Sequence, residues 1–140
     1  MKNIYEIFDE FELARNKSER MKVIEGNLSL VLVQVLELAF HPNYQWLVTE
    51  MPENYKTPDT LPGVSRAQLS TEIRKLYLFK KGDATAEKLS VLKRNQLLLQ
   101  LLESLEPREA EVVMGIFKKD QGVKGLDYNF VKEAFPNLIP

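Results

Sequence analysis

LSLVLVQVLELAF, residues 28–40, is the stretch on which the fold class turns. Its three valines are β-branched and would suit a strand. Its thirteen residues outrun the usual strand of about five or six, and Leu36-Glu37-Leu38-Ala39 is made of good helix formers. The segment therefore reads as a helix capped by Asn27. Being apolar nearly all round, it is expected to be the central core helix. His41-Pro42 ends it, because a residue before proline avoids the helical region.

The flanks read the same way. Asn3 and Glu6 have the spacing of a capping box, and Ile4, Phe8, Phe11 and Ala14 follow on one helical face. A second short helix is expected from Ser18 to Gly26. NYQWLVTEM is either a short helix or an extended segment. Pro52, Pro58, Pro62 and Gly63 mark a long loop. Ser65 is expected to cap a fourth helix running to about Phe79, and KKGDAT is a turn. A leucine-rich fifth helix spans about Ser90 to Leu105, and Pro107 suits the first position of a sixth. Asp127 caps a last helix, YNFVKEAF. The expectation is an all-α chain, residues 1–140 forming a single domain of six to seven short helices. Leu36, Leu38, Phe40, Leu98, Leu102, Val113 and Phe117 are its predicted core.

Composition narrows the chemistry. There is no cysteine, hence no disulfide, thiol nucleophile or thiolate zinc site. His41 is the sole histidine, which removes histidine-based triads and clustered-histidine metal sites. It reads as a helix-end residue. A P-loop is absent. Carboxylate pairs such as Glu103 with Glu106 and Glu109 with Glu111 read as solvated helix faces. No enzyme and no cofactor are expected. No apolar run approaches the ~20 residues of a membrane span, and the acidic, amphipathic opening MKNIYEIFDEFE is unlike a signal peptide. A cytoplasmic location, in a host cell if the chain is phage-encoded, is the expectation. The expected oligomeric state is a monomer or weak dimer.

Net charge is −1, but it is unevenly placed. Residues 1–73 carry 7 basic and 11 acidic side chains, and residues 95–140 carry 5 and 7. Residues 74–94 carry 7 basic side chains against Asp83 and Glu87, net +5. Lys80-Lys81 and Lys118-Lys119 occupy equivalent places, each after a helix and before a glycine turn. They can be partners of the helix dipole. They can also flank turn amides that meet phosphate oxygens.

The tail settles the emphasis. Phe117, Lys118-Lys119-Asp120, a glycine turn with Val123 and Gly125, and a helix ending Phe135-Pro136-Asn137-Leu138-Ile139-Pro140 resemble the end of the N-terminal DNA-binding domain of ATP-dependent DNA ligases. The likeness is strongest to the compact ligases of T-even-type phages. Leu78-Phe79-Lys80-Lys81-Gly82-Asp83-Ala84-Thr85-Ala86 is similar to a basic turn of that domain, and Asn43 to Val48 to its aromatic segment. The opening resembles that of small proteins from tailed phages of the same type. Two features depart from the ligase pattern: Gln121 directly follows Asp120, and Gly125 comes five places after that aspartate.

The resemblance implies a ligase-domain-like all-α fold and a duplex DNA-binding face that contacts phosphates, without ligation. Lys124-Gly125-Leu126-Asp127 does not reproduce the Lys-x-Asp-Gly nucleophile loop. Lys80, Lys81, Gly82, Lys118, Lys119, Lys124, Gly125 and, more weakly, Arg66 are the candidate DNA contacts. The expected partner is double-stranded DNA, plain or nicked. The alternative is a phage or host protein, bound by a module that kept the fold without DNA. The expected roles are replication, repair or takeover of the host.

Overall fold

Local rules set the start of each helix. The computed structural model describes residues 2–48, 52 and 67–140. In α1 (Ile4–Leu13) the Glu6 carboxylate accepts the Asn3 backbone N–H at 3.3 Å. Ile4, Ile7, Phe8 and Phe11 are its buried face. α2 (Lys17–Gly26) begins one residue earlier than expected, because Asn16 supplies the cap, accepting from Glu19 N at 2.9 Å.

α3 (Leu30–Phe40) is a helix, as its length required. Its cap is Ser29, whose Oγ accepts from Leu32 N at 3.1 Å. Asn27 instead closes α2, its amide donating to Val23 O at 2.7 Å. His41 ends α3 with extended backbone before Pro42.

A short α-turn, α4 (Leu69–Glu72), runs straight into a 3₁₀ helix over Ile73–Phe79. The expected cap Ser65 and the proline loop lie outside the described residues, apart from Pro52. α5 (Ala84–Lys88) is an extra turn that periodicity is too short to reveal, capped by Asp83. α6 (Val91–Ser104) is capped by Ser90, and α7 (Pro107–Lys118) carries Pro107 in its first turn. α8 (Tyr128–Ala134) is capped by Asp127, which accepts from Phe130 N at 2.8 Å. The fold is all-α. Among the described residues the only ladder pairings are two isolated bridges, Trp46 with Lys80 and Ala67 with Leu105.

The centre is α7, not α3. Ala110, Val112, Val113, Gly115, Ile116 and Phe117 are all buried, and α1, α3 and α6 pack around them. Small residues let neighbours approach α7 from several sides. α3 commits only Leu32, Val35, Leu36 and Ala39 to the interior, and Leu30 is 75% exposed. Leu38 and Phe40 are therefore half-buried, whereas Leu98, Leu102, Val113 and Phe117 are fully inside. Aromatic contacts tie the layers: Phe117 meets Phe79 at 5.3 Å and Trp46 at 5.1 Å, and Phe11 meets Phe130 edge-on at 4.9 Å.

Glu109 corrects the expectation of a solvated acid. It is 7% exposed, and its carboxylate accepts from Leu69 N at 3.2 Å. It thus serves the first amide of α4 from a distant helix, and burial raises its pKa. A buried amide at a helix start needs such an acceptor. Arg108, by contrast, stays at the surface and holds Asp9 of α1 through two bonds of 2.7 and 2.8 Å. No helix among the described residues is long and apolar enough to cross a membrane.

Candidate nucleic-acid interface

The first basic turn is built by the 3₁₀ helix. Three residues per turn place Arg74 and Tyr77 in one row, and Lys80 follows at the extended C-cap of that helix. All three line a cavity of about 330 Å³ together with Glu37, Tyr44 and Trp46. The Lys80 ammonium lies 4.5 Å from the centre of the Tyr44 ring, a cation–π contact. Lys81 N donates to Gln45 O at 2.8 Å and Leu47 N to Phe79 O at 2.7 Å. This short bridge fixes the aromatic segment as extended.

The turn amides are already engaged. Gly82 has φ +90, and its N–H donates to the Glu87 carboxylate at 3.0 Å. Asp83 accepts from Thr85 N and Ala86 N. Carboxylates of the chain itself thus hold the donors that were expected to meet phosphate. What remains is side-chain charge. Arg94 is turned inward, its Nη2 donating to Ala86 O and Leu89 O at 2.9 and 3.2 Å. Lys75 pairs with Glu72 at 2.8 Å. Arg74, Lys81, Lys88 and Lys93 are exposed and, among the described residues, in no ion pair.

The second turn is the expected helix–turn–helix junction, with a different division of labour. Phe117 is buried and Lys118 exposed. Lys119 takes the left-handed conformation (φ 58) that ends α7. Its ammonium donates to His41 O at 2.8 Å and Leu38 O at 3.3 Å. This corrects its assignment as a DNA contact: Lys119 serves the bare carbonyls at the end of α3. Gln121, the departure from the ligase pattern, donates to Val112 O at 3.1 Å and lies against Gly115. Lys124 is exposed. Gly125 has φ +86 and lies against the Arg20 guanidinium, so it faces protein. Arg66 lies outside the described residues.

The structure does bring the two turns into one chain of contacts. Lys119 holds His41, whose ring meets Tyr44 edge-on at 5.6 Å, and Tyr44 carries Lys80. The sequence held one overlooked signal, Arg74-x-x-Tyr77-x-x-Lys80. That spacing puts side chains on one face of any helix, but the cavity they line is visible only in the structure.

Lys119 carries a pH prediction. Burial lowers its pKa to about 8, while an unfolded lysine titrates near ~10.4. Between these values the unfolded chain binds more protons, so stability should rise with pH across that window. A neutral amine still donates to both carbonyls. Urea midpoints at about pH 7 and about pH 9.5 should show the rise in the parent and a smaller one in Lys119→Met. Equal rises would place the titration elsewhere.

Residues 7–124 match the model of a family described as a family of unknown function (DUF6433). The chain belongs to that family. The matched span takes in the basic stretch, the cavity and the second turn up to Lys124, and it leaves α8 outside. No curated protein matches the chain.

Proposed function

We propose that this protein is a non-catalytic binder of duplex DNA, acting in phage replication, repair or takeover of the host. The observation that carries the reading is the set of exposed cations Arg74, Lys81, Lys88 and Lys93, in no ion pair among the described residues, on the 3₁₀ helix, the turn after it, α5 and the first turn of α6. The Arg94 bonds hold α5 against the start of α6, so these charges share a rigid support. Phosphate contacts of this kind position a duplex without reading its sequence. The ligase-domain resemblance supports a grip of the same nature. Lys118 and Lys124 are the next candidates, on the second turn.

A titration of plain and nicked duplex at about 50 and 200 mM salt tests this. The log–log slope should be about −0.9 per neutralised phosphate. Replacing Lys81, Lys88 and Lys93 together by alanine should flatten the slope by up to about 2.7 and weaken all sequences alike. Failure to bind even at the lower salt would remove the reading.

One observation favours a protein partner instead. Val91 and Leu92, beside Lys93 at the start of α6, are 68% and 70% exposed. On that reading Leu92→Asp abolishes capture of a phage or host protein, and the lysine variants leave it intact.

A further inference from the structure

The cavity beside the basic face has a lining that, apart from Arg74, the duplex grip does not use. α3 contributes Gln34 and Glu37, three residues apart and therefore on one face. The extended segment contributes Tyr44 and Trp46, with ring planes 18° apart and centroids 6.2 Å apart. The 3₁₀ helix and its C-cap contribute Arg74 and Lys80. At about 330 Å³ the space is within the range of small-ligand sites.

The chemistry of the walls is selective. Near-parallel aromatic rings offer a stacking surface for a flat heterocycle. Glu37 accepts the Tyr44 hydroxyl at 3.3 Å, and a carboxylate has further lone pairs for a second donor. Gln34 adds one amide donor–acceptor pair. The indole N–H of Trp46 is buried and has no acceptor among the described residues, and a buried donor of that kind ordinarily finds one. Arg74 lines the cavity and is exposed, so its guanidinium stands at the rim. Lys80 rests on Tyr44 by a contact that another ring can replace, which releases its ammonium.

Charge limits the ligand. Arg74 and Lys80 are balanced by Glu37 and Asp83, and Asp83 is turned to the amides of α5. A neutral lining disfavours a polyphosphate and suits a ring with one phosphate. The geometry points to a binding site for a nucleobase carrying a single phosphate. The ring lies on Tyr44 and Trp46, an N–H edge faces Glu37, and the phosphate meets Arg74 and Lys80. Such a ligand is either a free nucleoside monophosphate or an unpaired base of a nucleic acid. The site shares only Arg74 with the duplex grip, because Lys81, Lys88 and Lys93 do not line the cavity.

Trp46 is the sole tryptophan and lines this cavity, so its fluorescence is the readout. The probes are GMP, a short guanine-containing single strand, the same strand with that base removed, and inorganic phosphate. Saturable quenching by GMP identifies the free nucleotide as sufficient. Quenching only by the strand with its base intact identifies an unpaired base. Glu37→Gln and Arg74→Ala should each raise the Kd about tenfold or more, with unchanged circular dichroism. Three results would overturn the site: no saturable change with GMP or the intact strand, an equal response to inorganic phosphate, or unchanged Kd in both variants. Loss of duplex binding in the Lys81/Lys88/Lys93 variant with GMP binding intact separates this site from the outer face.

Discussion

Phe11→Ala should lower the stability of the chain by about 3–5 kcal/mol, the range for emptying a buried phenylalanine site. Phe11 is 0% exposed. Its ring joins α1 to α8 through the edge contact with Phe130 at 4.9 Å, and the Arg20 guanidinium lies 6.0 Å from its centre. The truncation therefore leaves a cavity among three elements and withdraws the apolar surface on which Arg20 rests. A domain stabilised by only about 5–15 kcal/mol loses a large part of that margin. Leu13, on the same helix but 82% exposed, is the control. Its replacement by alanine should stay within about 0.5 kcal/mol. Urea denaturation followed by circular dichroism measures both. Equal costs at the two positions would mean that α1 does not pack as described.

The same contrast explains what the sequence made legible. Helix starts are readable where a side chain bonds an amide three residues on, as with Ser90 and Asp127, or where proline suits the first turn, as in α7. They are less readable where two cap candidates compete, as with Asn27 against Ser29, or where the cap lies just outside the apolar pattern, as with Asn16 before α2. The helical nature of residues 30–40 followed from length. The rank of that helix did not, because burial depends on how closely neighbours approach. Ala110 and Gly115 give α7 that closeness, and hydrophobicity alone favours α3.

The candidate site divides along a similar line. The charge island at 74–94 was visible as a count. The roles within it were not, since they depend on which cations find partners in space. Arg94 and Lys119 end on backbone carbonyls of short or terminating helices, and Lys75 ends on Glu72. Lys118 and Lys119 are neighbours in the chain, yet the left-handed turn at Lys119 sends one ammonium to α3 and leaves the other in water. Sequence patterns carry no sign of that turn, because lysine seldom adopts it. The cavity is not legible in the sequence for a related reason: its walls come from three separate segments between Gln34 and Asp83.

Gly125→Ala should cost about 2–4 kcal/mol, from two separable sources. At φ +86 a side chain strains the backbone by about 1–2 kcal/mol. An added Cβ would also lie 2.9 Å from Arg20 Cζ and 3.0 Å from its Nε and Nη1, so the guanidinium must move. Arg20 is half-buried, its Nε is buried without an acceptor among the described residues, and it lies over Phe11. Moving it uncovers that ring, so the shift is not free. Gly122 separates the two sources. It too has positive φ, +67, but a Cβ there meets nothing within 4 Å. Gly122→Ala should therefore cost only the backbone part, about 1 kcal/mol. Combining Gly125→Ala with Arg20→Ala should cost less than the sum of the two single changes, because the second removes the group with which the first collides. Denaturation of all four variants closes the cycle. An additive result would show that Arg20 swings aside without cost. Duplex affinity of the folded Gly125→Ala protein is the last readout. It should match the parent if the grip lies on residues 74–93, and fall if the junction itself holds the phosphates.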